Sequence, residues 1–596
     1  MKKSKIFGNF LVTTSLAALA ANFTVSEHAE ATAASARVVT DNATSSTGAG
    51  LDQNKAAVNV PFVSGSTILV DQAVVAGKAL DHDTVGSIAA IKLTKEAFTL
   101  NANKSFKLGP VITDIADKKL TLNVAANETV TLTGEVVSLL PNMKDSGYVG
   151  SATFSPAAND YSGLGAVDIG AGSQLFFDSN INLPSAVDGA AAGNGTIVIN
   201  NGKEVELSGL VGGTNGISFL DVRDNSTLTL HKNTKLQSNG GKATKLGSGA
   251  KIVLKDGANF NDVAAGSIDS SATINTNGSL IFEGSSEVDS YLGKIQTIND
   301  ITINANGEGV KIVVFKGSVL KAAQIKMEDK SSIKFDNVAA TVEGDIILVD
   351  GLQDIGKITL DNNLTFSKGN IGTGSAKISE IALQDKILTI NGSDNIEVHV
   401  NNILGASSGK GTIDISSDNF VLDTVVGNKD NLPLAFNYRG NAAVTAGGTI
   451  KFSDNSQLFA QTIDFSPPAG GANKIELGHN VQLVFSTAIT SGNTAKIYVR
   501  GDSVISGQNI NDLDQIIFDT PSKTLRCAGQ NITLNTGVSF EEDATLDLAL
   551  NDQNIIFDST VTVAKDTEEG YGTIDISNLD AAKFVSFIRP IGDITN

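Results

Sequence analysis

Tryptophan is absent from this 596-residue chain, cysteine occurs once, proline ten times and tyrosine six times. Each shortage excludes something. With Cys527 alone, in "TLRCAGQ", no intrachain disulfide can form, so the fold is not a small core held together by bridges. No histidine stands near Cys527 in sequence; His28, His82, His231, His399 and His479 are scattered. We therefore read Cys527 as a half-buried spectator thiol rather than a nucleophile. Basic runs are missing beyond Lys2-Lys3-Ser4-Lys5, and the net charge is −20. A nucleic-acid binder needs clustered cations to displace counterions from phosphates, so that class is set aside. The acidic residues are dispersed rather than blocked, which fits solubility on a large surface. After the N-terminus no stretch approaches 18 unbroken apolar residues, so no transmembrane helix is expected. The near-absence of interfacial Tyr and Trp also argues against lipid-facing barrel strands, so this chain is not expected to insert into a membrane.

The N-terminus reads as an address. Residues 1–31, "MKKSKIFGNFLVTTSLAALAANFTVSEHAEA", carry Lys2, Lys3 and Lys5, then an apolar core from Ile6 to Ala21. Small residues follow, with A-x-A patterns at Ala18-Leu19-Ala20 and Ala29-Glu30-Ala31. We read this segment as a cleaved secretory signal and the protein as exported.

What the chain does have is 59 glycines, 41% hydrophobic residues, and abundant Ser, Thr, Asn and Asp between apolar positions. That is strand-and-turn vocabulary. In "KITLDNNLTF", Lys357 to Phe366, Ile358 and Leu360 alternate with polar residues, Asp361-Asn362-Asn363 interrupts, and Leu364 and Phe366 resume. The same grammar recurs in "LTLNVAANETVTL" (120–132), "LTLHKNTKL" (228–236), "IKMEDKSSIKF" (325–335), "IELGHNVQLVF" (475–485) and "ITLNTGVSF" (532–540). "GTIDIS" occurs literally twice, at 411–416 and 572–577. The leading apolar residues Leu228, Ile252, Ile274, Ile301 and Ile325 are 24, 22, 27 and 24 residues apart. A period in the low twenties is a solenoid signature, and the period-2 alternation makes its units strands. A repeat of that size cannot bury its own inward row, but stacking the next turn above does so. Asn, Asp and Gly suit the corners because they tolerate left-handed backbone values. The fold expected is all-β, a right-handed parallel β-helix (solenoid) over residues 114–596, with an irregular N-terminal part at 32–113 where the solenoid starts. Within that part "LTKEAF" (93–98) reads as a short helical turn. The segment near 139–173, rich in Gly, Ser, Pro and Tyr, reads as a loop excursion.

Signal, Asn/Gly/Thr-rich strand repeats and almost no cysteine resemble the passenger regions of bacterial autotransporters. "GSLIFEG", "GTIKFSDNSQLF" and "LVFSTAITSGN" look most like the rickettsial surface cell antigens. The resemblance implies a cell-surface, outer-membrane-associated or periplasmic protein with structural, adhesive and virulence roles, and a host-cell surface protein as partner. Such proteins end in a translocator barrel, whereas this chain ends "KFVSFIRPIGDITN" without Tyr- and Trp-flanked strands. It therefore looks like a passenger lacking its barrel, with a separate translocator as an expected partner.

The rival class is a carbohydrate-active β-helix enzyme, a polysaccharide lyase or glycoside hydrolase, which needs converging carboxylates or a metal. Asp519 in "IIFDT" and Asp558 in "IIFDST" are read as corner caps instead. Gly478-His479 lacks the glycine that would complete a Gly-His-Gly site, and no GxSxG, HExxH or Walker motif appears. We expect no catalytic, metal or cofactor-binding residues and no enzyme activity. The one short motif that suggests adhesion is Arg500-Gly501-Asp502 in "VRGDSV", placed at a corner where its side chains should be exposed.

Overall fold

The computed structural model describes residues 37–40, 50–52, 66–70, 79–82, 86–93 and most of 97–593; the longest later segment outside the described residues is 135–158. Residues 1–31, read above as the signal, fall outside it. The chain packs as two units, residues 1–253 with 258–266, and residues 254–257 with 267–596. The described residues of both are strands and turns with no helix, and every strand-to-strand register is parallel. This is a parallel β-solenoid.

The alternation read from sequence becomes an inside and an outside. Strands such as Thr227–Leu230 and Lys474–Leu477 have every second side chain buried, because successive strand residues point to opposite faces. In the first unit one inward column runs Leu108, Leu132, Phe177, Ile199, Val222, each the registered partner of the next. In the second unit such columns include Leu280, Ile301, Ile325, Ile346 and Val342, Phe366, Ile390, Ile415, Tyr438. All are buried, and each such side chain contributes about 1.5–3 kcal/mol by leaving water. Steps along these columns are 21 to 25 residues, except for a step of 45 between Leu132 and Phe177.

The stretch 357–366 is one corner. Strand Ile355–Leu360 pairs with the strands before and after it in the stack, through Ile333 and Ile381. Strand Leu364–Lys368 pairs likewise through Val342 and Ile390. The two never pair with each other, so no hairpin forms.

Many corners share one geometry. There the third gap residue is left-handed, with φ of 62° at Asn127, 56° at Asn225, 65° at Asn455 and 57° at Asn480. Its amide donates to the corner carbonyl one turn on: Asn127 to Ala171 at 2.9 Å, Asn225 to Ser248 at 2.8 Å, Asn455 to His479 at 2.8 Å. A side chain often repeats the link. Asp224 accepts from the Ser248 amide at 2.8 Å, Asp454 from His479 at 2.7 Å and Asp502 from Thr524 at 2.9 Å. The twin "GTIDIS" copies also share a cause. Gly411 and Gly572 are left-handed (φ 82° and 76°), and a Cβ there would come within 2.8 Å of Leu383 and 2.3 Å of Phe540.

Three local readings change. "LTKEAF" is no helical turn at its ends: Leu93 closes strand Gly86–Leu93 and Phe98 opens Phe98–Ala102, while 94–96 lie outside the described residues. The excursion near 139–173 ends earlier than expected, because Leu164–Ile169 is a strand paired with Leu120–Val124 and Ala186–Gly189. Ile274 lies outside the described residues, and the partner of Ile301 is Leu280, 21 residues before it. The expected 27-residue gap came from choosing the wrong apolar residue.

Asn225 tests this corner geometry. Asn225→Gly should leave the urea unfolding midpoint nearly unchanged, whereas Asn225→Val should destabilise by about 1–3 kcal/mol, because a β-branched side chain resists positive φ.

Candidate functional site

Chemistry-bearing side chains gather in one place on the outer face of the second unit. Strand Ile387–Gly405 carries Glu397 and His399, both off the apolar interior. Strand Thr412–Val426, one turn on, carries Asp423, the registered partner of His399. His399 Nδ1 lies 3.0 Å from Asp423 Oδ2 and Nε2 lies 2.9 Å from Glu397 Oε2. Lys377 Nζ, just ahead of strand Ile378–Gln384, donates to Asp423 Oδ1 at 2.5 Å. The imidazole side chain is only 10% exposed although its backbone is on the outward row. What covers it is the short segment Gly372–Lys377, where Thr373 and Ala376 pair antiparallel and Gly374 approaches the ring.

Both ring contacts are hydrogen bonds only when both nitrogens carry protons, since a neutral imidazole donates once. With a charged ring the four groups sum to zero: two carboxylates, one ammonium, one imidazolium. The arrangement holds charge well, but it offers no nucleophile, and the two carboxylates sit on opposite ring nitrogens rather than converging. Among the described residues no group of three or more His, Cys, Asp or Glu has the geometry to hold a metal ion.

Sequence reading left His399 unassigned. A signal was nonetheless present, because His399 and Asp423 are 24 residues apart, one step of the repeat. Alternating residues that fall on one outward column share neighbours whenever their spacing matches the period.

The triplet Arg500-Gly501-Asp502 does occupy a corner, between strands Ala495–Val499 and Ser503–Ser506. Both charges are engaged within the fold. Arg500 Nη2 lies 2.9 Å from Asp519 Oδ2 and 3.6 Å from Glu476 Oε1, and Asp502 caps Thr524. Gly501 is required by packing, since a Cβ would lie 2.3 Å from the His479 amide nitrogen. The Arg500 and Asp502 side chains nevertheless remain 43% and 51% exposed, as expected of a corner. His479 stands 3.7 Å from Asp502 and is mainly exposed. Asp519 serves Arg500 as an ion-pair partner and accepts from Thr520 Oγ1 at 3.2 Å, a different role from the cap expected. The backbone amide of Asp558 donates to Leu534 O at 2.9 Å.

Elsewhere on the second unit's outer face, lysines pair with acids one turn away. Lys321 meets Glu343 at 2.7 Å, Lys326 meets Asp300 at 3.1 Å, Lys334 meets Asp361 at 2.5 Å and Lys357 meets Glu380 at 2.7 Å. Such exposed pairs contribute about 0–1 kcal/mol each.

No family model matches this chain, and no solved structure matches it. A curated relative does. Over 290 residues, 46% of this chain, it is 27% identical to "Outer membrane protein A" of Rickettsia rickettsii. The matched stretch takes in 11% of that protein's length. The similarity agrees with the surface-antigen resemblance read from the repeats. Among the described residues no helix is long and apolar enough to cross a membrane.

Cys527 is buried deeper than expected. It lies in an inward column as the partner of Ile505, fully shielded, and burial, reinforced by the Asp547 carboxylate, pushes its thiol up to about 12. The thiolate is therefore scarce near neutral pH, and native protein should resist a thiol-reactive disulfide reagent that modifies one equivalent after guanidinium unfolding. Rapid labelling of the native chain would contradict that burial.

Proposed function

We propose that this chain is an exported bacterial surface protein, a passenger-like solenoid with a structural and adhesive role and no enzymatic activity. The observation that carries the proposal is the similarity to a rickettsial outer membrane protein over a chain that folds as a parallel β-solenoid. The physical chemistry agrees with that role. Apolar residues are spent on interior columns, leaving an outer face of paired charges and short polar side chains. The partner proposed is a protein on a host-cell surface. Since both charges of Arg500-Gly501-Asp502 already serve the corner, adhesion in this reading is spread over the strand faces.

Protease added to intact expressing cells should degrade the chain, and N-terminal sequencing of surface material should begin after Ala20 or after Ala31, the last residues of the two small-residue patterns. Protein found only in the cytoplasm with Met1 intact would overturn export. Purified chain on beads should confer binding to host cells that soluble chain competes away. Cleavage of an acidic polysaccharide by the purified chain, abolished by changing one carboxylate, would instead establish the enzyme class.

A further inference from the structure

The segment Gly372–Lys377 is unlike the other corners. It leaves the stack at Ile371, whose bridges run to Ile346 and Val398, and folds over the outer face of the next two turns. Gly372 is left-handed (φ 73°), and a Cβ there would come 2.1 Å from the His399 carbonyl oxygen. Thr373 and Ala376 exchange backbone hydrogen bonds of 3.0 Å, which closes the segment into a tight strap. Thr373, Gly374 and Ser375 are exposed at its tip. At its far end Lys377 reaches Asp423, 46 residues on.

The strap is anchored at its start by the Gly372 amide, which donates to Ile346 O at 2.7 Å, and it meets the outer face through Gly374 and Lys377. Its Gly374 rests against the His399 ring, with a Cβ position 3.7 Å from Cε1. Its Lys377 is tied to Asp423, which also takes His399 Nδ1. The charged groups around the ring are Glu397 on its own strand, Asp423 on the following strand and Lys377 on the strap. We propose that Gly372–Lys377 is a proton-sensitive clasp, closed over the outer face while the His399 ring carries both protons and loosened when it gives one up.

The direction follows from charge and donors. The doubly protonated ring donates to Asp423 and Glu397 and balances their charge together with Lys377. A ring with one proton leaves one carboxylate facing a lone pair and leaves the cluster with one net negative charge under the strap. When the proton that remains is on Nε2, Asp423 loses its ring donor, and Lys377 is the group it shares with the strap. Imidazole is the side chain that makes this exchange in mildly acidic to neutral water. The clasp is therefore tight on the acidic side and loose on the alkaline side, as long as the carboxylates remain ionised.

Hydrogen exchange read by mass spectrometry on the full chain tests this, using protection factors so that intrinsic exchange is removed. The reporters are the amides of Thr373 and Ala376, and the reference is the neighbouring strand Ile355–Leu360. Between about pH 5 and about pH 8 the reporters should lose about tenfold or more in protection, as expected for one charged hydrogen bond, while the reference stays constant. In His399→Gln the reporters should be weakly protected at both pH values. In Lys377→Met, which keeps the ring, the strap should also be open at both while the reference strand remains protected. Equal protection of the native strap at both pH values would overturn the proposal. So would the same pH dependence in His399→Gln, or a closed strap in Lys377→Met.

Discussion

Everything in this structure depends on the parallel backbone ladder between one turn and the next. A single turn exposes an entire row of Ile, Leu, Val and Phe, and its backbone amides and carbonyls point along the stacking direction rather than at each other. Neither deficit can be met within the turn. The neighbour meets both at once, because parallel pairing in register puts like residue over like residue. Phe315 over Phe335 at 5.8 Å and Phe518 over Phe540 at 4.9 Å are direct products of that register. The corners must then repeat as well, since any drift in their geometry would throw the inward rows out of line.

That constraint explains why the fold was legible and where it was not. Ile358, Leu360, Leu364 and Phe366 announced their burial by alternation alone, and Asn and Gly announced the corners by their tolerance of positive φ. The period announced parallel stacking rather than hairpins. A misreading arose where the pattern was irregular. Leu164–Ile169 was hidden because Gly and Ser around it resemble a loop, while its apolar residues are two and three apart and break strict alternation.

The candidate site was less legible for a different reason. Outward residues are not constrained by burial, so charge on the outer face varies freely, and the one-step spacing of His399 and Asp423 is only a faint periodic trace. Glu397, His399, Asp423 and Lys377 meet only because the register brings them together, and Lys377 comes from a segment that leaves the stack. Reading the outward columns requires the inward ones to be aligned first. Arg500-Gly501-Asp502 shows the converse. Its three residues also serve the corner, where glycine clears the chain beneath and aspartate holds the chain above, while the Arg500 and Asp502 side chains stay about half exposed.

The 45-residue step between Leu132 and Phe177 has a consequence for how such a chain can change. Strand Leu120–Val124 still pairs directly with Leu164–Ile169, and Thr129–Leu132 with Gln174–Phe177, although the chain between them is about twice the usual length. Register is set where strands meet and is indifferent to how much chain a corner contains, because lengthening a loop costs little entropy. Corners are thus natural points of length polymorphism. Two alleles could differ there by a whole turn's worth of residues and still share every core contact, so a changing outer surface is compatible with an unchanging interior.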